Sequence, residues 1–169
     1  MKARHAVLAA LAAAVTLTSV AAAGRDAAKQ RVVIDMKLCS PGKSQQTFVL
    51  TPQQFGPLKR DSGTISSNLA STPGRNVMRD GQEVTIYDGG VATLTGKRGT
   101  LTIRDRNEWV AVANENVPNG DFRPGIGIGT WKVVRGTGQY AGIVGKGRDG
   151  HVGFGSPWYA RYEGFVTSP

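Results

Sequence analysis

Arg161 and Glu163 stand two residues apart in the closing segment WYARYEGF, residues 158–165. In an extended strand that spacing puts both on one face, together with Tyr159 and Phe165. Turned inward, an Arg–Glu pair flanked by aromatic rings would bind and polarise a carbonyl or relay a proton. Turned outward, the same residues form an ordinary surface ion pair. Glu108, beside Trp109, poses the same alternative. Inward, among apolar neighbours, its carboxyl would have a raised pKa and act as an acid or base. Outward, it is a solvated residue at the start of a strand. The candidate catalytic set is therefore Glu108, Arg161 and Glu163. Trp109, Trp131, Tyr159 and Phe165 are the candidate ligand-binding aromatics, which either line a cavity or fill a core.

Other chemistries have less to stand on. His151 is the only histidine beyond residue 5, and Cys39 is the only cysteine. A zinc site would lack imidazole and thiolate ligands, and a Ser-His-Asp triad would have to use His151. His151 reads as a turn or surface residue, and neither a metal nor another cofactor is expected. Cys39 closes an apolar run and reads as a small buried hydrophobe, with pairing to a second chain as the alternative. Gly136-Thr137-Gly138-Gln139-Tyr140-Ala141 matches a loose dinucleotide pattern, but that pattern needs a helix starting at the glycines. More glycines follow instead, so the segment reads as a turn between strands.

The elements that would position these residues are strands. Residues 31–38, RVVIDMKL, set Val32, Ile34, Met36 and Leu38 against Val33, Asp35 and Lys37, the alternation of a half-buried strand. Further strands are expected at 46–51, weakly at 63–69, at 82–87, 91–97, 99–104 and 108–113, then near 150–154 and at 158–166. Asp88-Gly89-Gly90 is expected as a hairpin turn and Asp105-Arg106-Asn107 as another. Residues 52–81 and 114–125 read as loops. The organising stretch is Gly129–Arg148, a strand with Trp131 and Val133 on one face and Lys132 and Val134 on the other. A glycine-rich turn carrying Tyr140 follows, then the start of the returning strand. Roughly eight strands and no sustained helical stripe predict an all-β sandwich or barrel.

Residues 1–23 carry a basic start (Lys2, Arg4, His5), an apolar run over 6–20 and Ala21-Ala22-Ala23 before Gly24. This is the pattern of an export signal peptide, leaving residues 24–169 as one domain, secreted and with no transmembrane segment. Its removal takes the formal charge from +9 to +7. The basic residues are scattered along the chain, at Lys59-Arg60, Lys97-Arg98 and Arg104/Arg106. That scatter argues for a solvated basic surface and against specific nucleic-acid binding.

Gly129-Thr130-Trp131 through Gly142, preceded by TLTGKRGTLTI at residues 93–103 and followed by the tyrosine-bearing closing strand, resembles the allene oxide cyclase and dirigent barrel superfamily, in particular its small secreted bacterial members. The similar portion runs over roughly residues 82–166, with the Gly136-Thr137-Gly138-x-Tyr140 turn as its diagnostic piece. The resemblance implies a single antiparallel, up-and-down, eight-stranded calycin-like β-barrel, often dimeric or trimeric, around an apolar cavity. Its enzymes steer cyclisation or coupling by shaping the substrate, usually without a cofactor.

Two functions are expected on these grounds. The first is a secreted barrel that binds a hydrophobic small molecule, with cofactor-free cyclase or isomerase activity as its enzymatic form. The second is a non-catalytic envelope or interaction protein with a filled barrel and a basic exterior. A packed interior with Arg161 and Glu163 outside would favour the second; an open apolar cavity with either charge inside would favour the first.

Overall fold

The computed structural model describes residues 29–39, 45–112, 124–154 and 156–169; the expected signal peptide and most of the loop at 114–125 lie outside them. The chain is all-β in these residues. Its strands are β1 (Lys29–Leu38), β2 (Thr47–Pro52), β3 (Asp61–Ser67), β4 (Gly74–Arg79), β5 (Gln82–Gly96), β6 (Gly99–Ala111), β7 (Gly125–Gly136), β8 (Val144–Gly153) and β9 (Trp158–Thr167). They form one antiparallel sheet in the order β3-β2-β1-β9-β8-β7-β6-β5-β4. Because β3 also pairs with β5, eight strands close into a ring-like arrangement, and β4 hangs on β5 outside it.

The alternation read from β1 decides what faces inward. Val32, Ile34, Met36 and Leu38 are at most 2% exposed and join Phe48, Leu50, Leu94, Leu101, Ile103, Trp131 and Tyr162 in one core. Tyr140, on the short 3-10 turn between β7 and β8, is fully buried in that core. Its hydroxyl donates to Asp61 Oδ2 at 2.8 Å, so the polar end of the plug is satisfied where the ring is closed off.

Three local expectations are corrected. Asp88-Gly89-Gly90 is not a hairpin turn. β5 runs straight through it, with a bulge between Asp88 and Gly90 where the pairing with β6 shifts by one residue. Gly89 takes φ 95 there, and the inserted residue reverses facing. Ala92 and Leu94 point into the core, while Ile86, opposite Glu108, is on the other face. Asp105-Arg106-Asn107 is likewise mid-strand, because β5 and β7 pair with β6 on both sides and override the local turn preference of Asp and Asn. Finally, β4 lies in the segment expected as a loop. As an outer strand its side chains are almost all exposed and give no alternation. Asp80-Gly81, with φ 50 and 79, is the two-residue turn that joins it to β5.

Candidate functional site

The closing strand takes the outward of the two alternatives. Trp158, Ala160, Tyr162 and Val166 are buried, while Tyr159, Arg161 and Phe165 are exposed. Arg161 donates to Glu163 Oε1 at 2.8 Å and to Asp35 Oδ1 at 3.0 Å, and Arg31 reaches Glu163 Oε2 at 3.2 Å. Hydrogen bonds from Arg161 first, then Arg31, hold the Glu163 carboxyl below the usual carboxylate range. This is a surface network across β1 and β9. Glu108 also sits on the outer face, where Arg79 of β4 grips both of its oxygens. Tyr159 lies in a row with Val152 and Ile126, all exposed.

Trp131 and Trp109 face the other way. Trp131 is buried edge-on against Tyr162, with ring centroids 6.3 Å apart. Its indole N–H is shared between the carbonyls of Arg148 and Glu163 at 3.2 Å each. The glycine at 164 makes room for it: a Cβ there would stand 2.8 Å from the indole. Trp109 is half-buried across Gly125 and Gly127, where added Cβ atoms would come within 2.5 and 3.0 Å of its ring.

Inside the ring the register brings together a polar group that no local motif announced. Asp149 of β8 stands opposite Tyr162 of β9, and Asp105 of β6 opposite Trp131 of β7. His151 Nε2 lies 2.7 Å from Asp149 Oδ2 and 3.5 Å from the Tyr162 hydroxyl, which donates to Asp105 Oδ2 at 2.8 Å. All four residues are buried, so the expectation of a turn or surface histidine at 151 is corrected. Burial pushes the Asp105 carboxyl above its ordinary range, against the hydrogen bond from Tyr162, and burial likewise raises the Tyr162 hydroxyl. Asp105 Oδ1 and Asp149 Oδ1 are buried with no hydrogen-bond partner among the described residues.

Outside the same strands lies a groove of about 1040 Å³. Its walls carry Lys29, Arg104, Arg106, Lys132, Lys146 and Arg148, against one exposed acid, Asp88. Arg106 approaches Asp88 at 3.9 Å, and the Lys29 ammonium sits 4.3 Å from the centre of the Phe165 ring. The other four cations make no ion pair or side-chain hydrogen bond with a described residue. Three of them are aligned: Arg104 is opposite Lys132, and Lys132 is opposite Lys146. Scattered in sequence, they converge because adjacent strands set paired residues side by side on one face. The i, i+2 pairs Arg104/Arg106 and Lys146/Arg148 were the available signal, since that spacing fixes a common face within one strand.

No protein-family model, curated protein or solved structure matches the chain.

Proposed function

We propose that the protein is an exported, non-catalytic interaction protein. In this reading the ring is a filled barrel of the allene oxide cyclase and dirigent type, and the outer groove holds a polyanion of the cell envelope. The observation that carries it is the set of four cations, Arg104, Lys132, Lys146 and Arg148, gathered in one groove with no ion-pair partner among the described residues. Like charges directly opposite across a sheet cost stability, and an anionic partner turns that cost into binding. Phosphate or carboxylate groups repeated along a chain suit the arrangement, because neighbouring strands place cations roughly 4.8 Å apart. The sequence pattern of residues 1–23 supports export. No helix among the described residues is long and apolar enough to cross a membrane.

A hydrophobic ligand inside the ring would have to displace side chains such as Tyr162, Trp131 and Leu94, which already fill it. Arg161 and Glu163 bind each other outside that space. Both features support the interaction reading over the small-molecule one.

The test is binding of long-chain inorganic polyphosphate to the full chain, compared with Lys146→Gln and with Lys59→Gln, a basic residue outside the groove. The reading expects a loss confined to Lys146→Gln. Equal losses from both would mean that net charge, not the groove, does the binding.

A further inference from the structure

We infer that Asp105, Asp149 and His151 form a binding site for one divalent cation of the zinc type inside the ring. One ligand atom from each lies within 4.8 Å of the others, and all three residues are buried.

The charge balance of the interior points to a cation. Two carboxylates are buried within reach of one imidazole, and no Lys or Arg among the described residues bonds to either. Taking a carboxylate out of water costs several kcal/mol unless it is paired or bound to a metal. The pairing present is incomplete: the Asp149 side chain is fully inaccessible, Asp105 is 3% exposed, and Oδ1 of each has no hydrogen-bond partner among the described residues. A dication balances two carboxylates and uses acceptor capacity that is otherwise unmet.

The donor set selects the class of ion. Two carboxylates and one imidazole suit a small, low-coordinate dication such as Zn²⁺, with bonds of roughly 2.0–2.2 Å. They are too few for Ca²⁺, which takes about 6–8 oxygens. The ion would take the place of the hydrogen bond between His151 Nε2 and Asp149 Oδ2, which lie 2.7 Å apart. Tyr162, donating to Asp105 Oδ2, would hold that carboxylate in position as an outer-shell partner. With ligands from β6 and β8 and the outer-shell bond from β9, the site would clamp the strands that also carry the basic groove. Because the ligands are buried, loading would accompany folding.

The experiment is to unfold the full chain with a chelator and refold it with and without Zn²⁺. After desalting, zinc content and thermal midpoint are measured. One zinc per chain and a raised midpoint are expected. Refolding with Co²⁺ should give the visible absorption of a low-coordinate site and selectively broaden the Trp131 and Tyr162 proton resonances. Asp149→Asn should weaken Zn²⁺ by more than the roughly 10- to 100-fold that losing an outer-shell contact costs. Wild-type chain that refolds without retaining zinc, or shows the same midpoint with and without it, overturns the site. So does Co²⁺ that leaves Trp131 and Tyr162 unbroadened, which is decisive even where Asp149→Asn does not fold.

Discussion

Arg104 of β6 and Lys132 of β7 stand directly opposite each other on the outer face, and the next cation across the sheet is Lys146. Like charges in this relation destabilise a sheet. Exposed charges are screened by salt. Lys132→Thr should therefore raise the urea midpoint at low salt, with the gain shrinking at high salt, while weakening polyphosphate binding. Urea titrations at two ionic strengths check this. A lower midpoint at low salt would mean that Lys132 stabilises the fold and is not held there for a partner.

A second prediction concerns acid. The Asp61 carboxylate is buried, which pushes its pKa up, but hydrogen bonds from the Tyr140 hydroxyl and the amides of Ser62, Arg98 and Lys97 outweigh burial and hold it below the ordinary range. A depressed folded-state pKa contributes stability that is present above the unfolded value, about 3.9, and is lost as pH falls through the lower folded value. Tyr140→Phe removes one of these donors. It should cost about 1.5–3 kcal/mol at neutral pH and, by bringing the folded-state pKa of Asp61 closer to the unfolded value, shrink the acid-dependent part of the stability and move its lower end to higher pH. Urea midpoints between pH 2 and 6 read both, and an unchanged acid limb would show that Tyr140 contributes packing alone.

The sequence carried β1, β2 and β9 plainly, because Ile34/Met36/Leu38 alternate with Asp35 and Lys37, and Ala160/Tyr162 with Arg161 and Glu163. It misplaced the breaks in β5 and β6. Asp88-Gly89-Gly90 has the composition of a hairpin turn, and only pairing with β6 reveals a bulge. β4 was hidden because an outer strand buries neither face. Facing on the last strand stayed open for a related reason. Trp158/Tyr162 and Tyr159/Phe165 offer similar apolar content on opposite faces, so composition could not choose between them. The interior group needs residues from three strands, Asp105, Asp149 with His151, and Tyr162, and no local motif brings those together.

The third prediction separates glycines that are spacers from those that are not. At Gly164 an added Cβ would lie 2.3 Å from the Lys146 carbonyl and 2.8 Å from the Trp131 ring. Gly164→Ala should cost on the order of 1–3 kcal/mol by overpacking and should change the near-UV circular dichroism of the buried tryptophan. Gly150→Ala, whose nearest neighbour would be 4.0 Å away, should leave both unchanged. Equal effects from the two would refute the packing account of Trp131.

The fourth concerns the surface network. Arg161 and Glu163 are exposed, and salt screens such pairs. Arg161→Ala should leave the thermal midpoint and polyphosphate binding close to wild type, since Arg161 lies outside the groove. A large loss of binding would place the interaction surface on β1 and β9 instead.

Whether the groove binds a polyanion is decided by the salt dependence of polyphosphate affinity, measured calorimetrically on the full chain at several salt concentrations. Each cation that releases a counterion contributes a slope of about one in log affinity against log salt. Wild type should show a clear negative slope, and the combined Arg104, Lys132, Lys146 and Arg148→Gln variant a slope shallower by about three to four. A wild-type chain that does not bind, or a combined variant that binds with an unchanged slope, would contradict binding in the groove.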